Sequence, residues 1–204
     1  MSLVTHVAAL VAPANGLPVL REVFRSLQGS YPGALLLVIH SDGQPARKIA
    51  DNLNVIPNFM VLPGLDGVVL RNGHAYVIQA GDGLVVGSDG SLMRAYDTDS
   101  EDAAASAATP PDRNPVDGLL SSLANRYGKN AIAVALTALS AEEREGFLAV
   151  RQAGGSTMAL NEANRIWSDL KGIRVTPGKE DLLLSAEELG PAMLQRAAER
   201  EIPA

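Results

Sequence analysis

Cysteine is absent from the 204-residue chain. That excludes disulfides, thiolate metal ligands and a cysteine nucleophile, and it points to a reducing compartment such as the cytoplasm. Aromatic residues are scarce, at 4% with a single Trp, and the formal net charge is -6. With no basic stripe, nucleic-acid binding is not expected. No run approaches the ~20 apolar residues that cross a bilayer. The longest, Ala131 to Leu139, is read as a buried strand, so no membrane insertion is expected. The N-terminus lacks a basic stretch leading into an apolar core, so no signal peptide is expected. The three histidines stand without clustered acids, which gives no reason to expect a metal. Asn15-Gly16 is too poor in glycine to cradle a nucleotide's phosphates, and no cofactor is expected.

What is present suits a single domain over residues 1–204. Hydrophobic residues make up 47% and charged residues 20%, an ordinary globular balance with enough length for a sizeable core. Val4 to Val11 reads as a buried parallel strand, apolar on both faces. Leu17, Leu20, Val23, Phe24 and Leu27 follow at helical spacing. Ala34 to Ile39 reads as a second buried strand and Gln44 to Leu53 as a helix. This β-α-β-α opening predicts an α/β fold, a doubly wound and mostly parallel sheet in three α/β/α layers.

The middle of the chain differs. Asp66-Gly67, Asn72-Gly73 and Gly81-Asp82-Gly83 are turn signals between short β-rich pieces, Val68 to Leu70, Ala75 to Ile78, Leu84 to Val86 and Leu92 to Tyr96. These predict short antiparallel strands and a hairpin at the rim of the sheet. Residues 97–115 hold no large apolar side chain and are read as a mobile loop. Val116, Leu119, Leu120 and Leu123 restart a helical stripe, and Asn130 to Thr137 is a third buried strand. Ser140 is placed as a helix N-cap ahead of Glu142 and Glu143. Ser156 to Leu160 is a strand, Asn161 the cap of a helix to about Leu170, residues 172–184 a strand and loop, and Ser185 to Arg200 a last helix with Leu189 and Leu194 inward.

Several local patterns, taken in order, resemble one family. Gly16-Leu17-Pro18-Val19-Leu20-Arg21-Glu22-Val23 resembles G-P-E-A-L-R-E-V, and Val38-Ile39-His40 resembles V-Q-H. Gly73-His74-Ala75-Tyr76-Val77 resembles G-H-V-Y-I, and Pro115-Val116-Asp117-Gly118-Leu119-Leu120 resembles S-V-D-x-L-F. Ala135-Leu136-Thr137 resembles the start of L-L-T-G-M-G-x-D-G, and Ala153-Gly154-Gly155-Ser156-Thr157-Met158-Ala159-Leu160-Asn161-Glu162-Ala163 resembles A-G-G-x-T-I-A-Q-D-E-A. Together these resemble the methylesterase domain of the CheB chemotaxis family. No receiver domain of the kind found in that family is recognised in this chain.

The resemblance implies a serine hydrolase site. In active members a G-A-S-T-G-G turn after the first strand carries the nucleophile. The second-strand His takes its proton, an Asp in the T-G-M-G-x-D-G loop orients that His, and backbone N–H groups hold the oxyanion. Here Val11-Ala12-Pro13-Ala14-Asn15-Gly16 falls over that turn. Pro13 stands at the nucleophile position and Ala14 at the neighbouring Thr, His40 at the His, Glu142 at the Asp, and Leu139 at the Met whose backbone serves the oxyanion. Proline has neither hydroxyl nor N–H, and its fixed φ is read as suiting the start of a helix. Loss of a triad serine costs on the order of a millionfold in kcat.

The reading is therefore a degenerate protein-glutamate methylesterase domain, a pseudoenzyme that binds a protein partner of chemoreceptor or adaptation-enzyme type. The alternative is a hydrolase in which His40 and Glu142 activate water. A nucleotide-binding module rests on fold analogy alone. His6 and His74 are read as structural.

Overall fold

The computed structural model describes residues 4–27, 31–40, 43–55, 59–95, 114–136, 144–161 and 181–201. The elements in chain order are β1 (Val7–Pro13), α1 (Leu17–Ser26), β2 (Ala34–His40), α2 (Ala46–Leu53), β3 (Met60–Pro63), β4 (His74–Gln79), β5 (Leu84–Val86), β6 (Leu92–Arg94), α3 (Pro115–Tyr127), β7 (Ala131–Ala135), α4 (Arg144–Gln152), β8 (Ser156–Leu160), β9 (Asp181–Leu184) and α5 (Ala186–Glu201). A 3-10 turn, Gly128–Asn130, joins α3 to β7.

The apolar runs pair into one seven-stranded sheet of order β3-β4-β2-β1-β7-β8-β9. Every pairing in it is parallel. The central strands are apolar at nearly every position because helices cover both faces. Side chains alternate along β1 accordingly. Ala8, Leu10 and Ala12 join a core with Leu20, Val23 and Phe24 of α1, Ile49 and Leu53 of α2, and Leu189 and Met193 of α5. Val7, Ala9 and Val11 face the other way, against Leu119, Leu120 and Leu123 of α3, Phe147 and Val150 of α4, and the inner side chains of β5 and β6.

The helix starts follow local chemistry. Asn114 Oδ1 accepts from Val116 N at 2.9 Å, with Pro115 at the first position of α3. At α5, the N–H and hydroxyl of Ser185 donate to Glu188 Oε2 at 2.8 and 2.9 Å. Where α1 meets α5, a Cβ at Gly190 would lie 2.2 Å from Ser26 Oγ, so only glycine fits.

Four expectations are corrected. The first strand runs to Pro13 rather than ending at Val11. Ala75 to Ile78 is no rim strand: it lies in β4, parallel to β2 inside the main sheet. Val68 to Leu70 supplies only an isolated bridge, Val69 to Ser91, beside the antiparallel β5–β6 hairpin. The 97–115 loop was drawn too long, since α3 is capped at Asn114 and begins at Pro115. Residues 96–113 lie outside the described residues, as do the helix placed at 162–170 and most of 172–184.

The Ser185 cap makes a pH prediction. Its two hydrogen bonds hold the Glu188 carboxyl below the usual carboxylate range. A folded-state value below the unfolded value of about 4.3 means the cap is fully present above that value and is lost as pH falls through the lower one. Glu188→Gln should therefore give a shallower fall of Tm between about pH 5 and pH 3 than the parent chain, read by thermal melts.

Candidate functional site

The turn between β1 and α1 is the centre of the carboxyl edge. β1 continues through α1 to β2 on one side, and β7 continues through α4 to β8 on the other. The connections leave on opposite faces, so a crevice opens at the strand ends between them. In such folds ligands bind there.

Pro13 closes β1 and His40 closes β2, and the two are partners in the parallel register. Neighbouring strands stand about 4.8 Å apart. Both residues are half-buried. The turn itself is tight: Gly16 N–H donates to the Pro13 carbonyl at 2.8 Å, and Leu20 N–H to the Gly16 carbonyl at 3.0 Å. A Cβ at Gly16 would lie 2.9 Å from both Pro13 Cδ and Pro13 O, so the proline ring is folded against this glycine. Ala14, half-buried, and Asn15, exposed, form the tip. Neither Pro13 nor Pro18, in the first turn of α1, carries an N–H. Gly16 N–H is already engaged, so neither Pro13 nor Gly16 offers a backbone donor to an oxyanion.

Around it, Leu136 N–H donates to the Val11 carbonyl at 2.8 Å, which carries the chain past the end of β7 and up to the crevice. Ala80 N–H reaches the Ile39 carbonyl at 3.0 Å, and Gln79 Nε2 donates to the Gln44 carbonyl at 3.2 Å. These bonds tie the end of β4 to β2 and to Gln44. The structure thus brings Pro13, Ala14 and His40 to one edge. Leu139 and Glu142 lie outside the described residues, as does Ser140.

Pro13 does not start a helix. It ends a strand, α1 begins at Leu17, and the proline of the first turn is Pro18. The other two histidines sit away from this edge. His6 is buried just ahead of β1, with Nδ1 2.9 Å from Thr5 Oγ1, and His74 opens β4 with its ring stacked on Tyr76. Among the described residues, no three His, Asp or Glu side chains are grouped to hold a metal, and no helix is long and apolar enough to cross a membrane.

One residue's role was missed in the sequence. Asp117, in the first turn of α3, is buried, and its Oδ1 accepts from Gly146 N–H at 2.6 Å. A carboxylate bonded to a backbone N–H in a helix first turn is doubly favourable, by charge-assisted bonding and by the helix dipole. Through it the start of α4 is fixed to the start of α3. The available signal was an acid inside the apolar stripe Val116, Leu119 and Leu120.

A family profile described as CheB methylesterase matches residues 8–193. Protein-glutamate methylesterase/protein-glutamine glutaminase 1 of Myxococcus xanthus is 29% identical, over 95% of this chain and 54% of its own length. The protein of that name numbered 2 in Pseudomonas aeruginosa is 30% identical over the same shares, 95% and 54%. That of Escherichia coli K12 is 33% identical over 76% of this chain and 43% of its own length. The chain spans about half the length of these curated relatives. The crystal structure of the CheB methylesterase catalytic domain of Thermotoga maritima shares the fold, with a TM-score of 0.70 at 20% identity, covering 96% of this chain and 99% of that one.

The α3–α4 junction yields a stability prediction. A Cβ at Gly146 would lie 2.7 Å from Asp117 Oδ1 and 2.8 Å from Leu120 Cβ. Gly146→Ala should cost ~1–3 kcal/mol through overpacking. Asp117→Ala should cost ~1.5–3 kcal/mol through the lost charge-assisted bond. Because both changes break one contact, the double variant should cost less than their sum in urea unfolding.

Proposed function

This chain belongs to the CheB methylesterase family, and on that premise we propose that it is a silent member, a binding and regulatory domain that does not hydrolyse glutamyl methyl esters. The observation that carries the reading is Pro13 in register beside His40 at the carboxyl edge. A serine hydrolase needs an attacking oxygen within hydrogen-bond reach of its imidazole. Proline has no side-chain oxygen, and it also removes a backbone donor from the turn. Ala14 and Asn15 supply no hydroxyl in its place.

The relatives' names give them protein glutamate and glutamine as targets. Carried over to this chain, the partner is a protein of chemoreceptor or adaptation-enzyme type, met in the cytoplasm and held without turnover. Family membership, not the fold, supports this half of the reading.

The test measures methanol release from a methylated chemoreceptor fragment, alongside binding of that fragment by calorimetry. No turnover above the uncatalysed rate is expected, with His40→Ala indistinguishable from the parent chain. Turnover that His40→Ala abolishes would overturn silence and favour water activated by His40. Absence of binding would remove the receptor as partner.

A further inference from the structure

Among the described residues, strand β3 is the last strand on its side of the sheet. An open edge presents unpaired N–H and C=O groups, a template on which another chain can add a strand. The parallel ladder sorts these groups. Val61 stands opposite Ala75 and Pro63 opposite Val77, and Gly64 N–H reaches inward to the Val77 carbonyl at 2.7 Å. Backbone groups alternate in direction along a strand. Met60, Leu62 and Gly64 therefore turn theirs toward β4, and Val61 and Pro63 turn theirs outward.

Both outward positions are altered: Val61 is capped, and Pro63 keeps only its carbonyl. Asn54, the residue after α2, meets Val61 with its side-chain amide: Nδ2 donates to the Val61 carbonyl and Oδ1 accepts from Val61 N–H, each at 2.8 Å. A primary amide carries the same donor and acceptor as a peptide unit. It stands in for one residue of a missing strand. Asn54 is itself held in place, its own N–H donating to the Ala50 carbonyl at 2.9 Å. Pro63, the next outward position, has no N–H to offer. The closure matters because apolar side chains flank it, with Met60 56% and Val55 72% exposed.

We propose that Asn54 and Pro63 together seal the β3 edge against strand pairing with a second copy of this chain. Native-state hydrogen exchange and sedimentation velocity on the full chain test it. Val61 N–H should exchange as slowly as a paired strand amide, although it faces away from the sheet. Asn54→Ala should speed that exchange about tenfold, the worth of one net hydrogen bond. The double variant Asn54→Ala with Pro63→Val should associate at concentrations where the parent chain's sedimentation is constant. Adding Met60→Lys should reverse that association, since an edge lysine resists pairing. Open-amide exchange at Val61 in the parent chain overturns the proposal and needs no variant to fold. A folded double variant that sediments like the parent overturns it too, as does association that Met60→Lys leaves unchanged.

Discussion

The parallel pairing of β1 with β2 on one side and β7 on the other is the constraint on which the rest depends. It makes β1 the most enclosed strand, with Val7 to Ala12 fully buried. It also sends α1 and α4 to opposite faces, which is what opens a crevice at all. The same ladder sets Pro13 against His40 with no slack. In a sheet buried on both faces, a one-residue slip would drive every apolar side chain into the wrong core. The chemistry of the edge is thus inherited from the packing of the interior, and a change of residue at Pro13 alters the site without moving it.

The second helix layer is held in a different way. On the α3 and α4 face, a buried carboxylate and a glycine meet at the first turns of two helices. Apolar packing brings these helices together; the Asp117 bond selects one angular arrangement among those that packing allows. That arrangement governs where α4 begins, and so where the chain returns after leaving β7.

Much of the frame was legible in the sequence. Strands buried on both faces write themselves as unbroken apolar runs, so β1, β2, β7 and β8 could be read directly, and helical periodicity gave α1, α3 and α5. Strand β3 was missed because an edge strand needs little of that signal: it is short, contains Pro63, and buries only Val61 fully. Ala75 to Ile78 was misplaced because nearby turn residues describe the local chain, while its partner β2 lies some forty residues back. His40 was legible at the end of a strand, whereas Pro13 was read as a helix start and closes β1 instead. The bond from Asp117 to Gly146 spans 29 residues and depends on how closely two helices approach, which no local pattern records.

The two prolines that flank the β1–α1 turn have one more consequence. In active hydrolases the nucleophile sits on a sharp, strained turn, and strain of that kind lowers the stability of the fold. Proline acts in the opposite sense. Where its φ fits, it narrows the unfolded ensemble and stabilises by ~0.4–1 kcal/mol. Pro13 and Pro18 stiffen the segment that catalysis would require to be tense. The turn at the carboxyl edge thus contributes to the thermal endurance of the fold instead of limiting it.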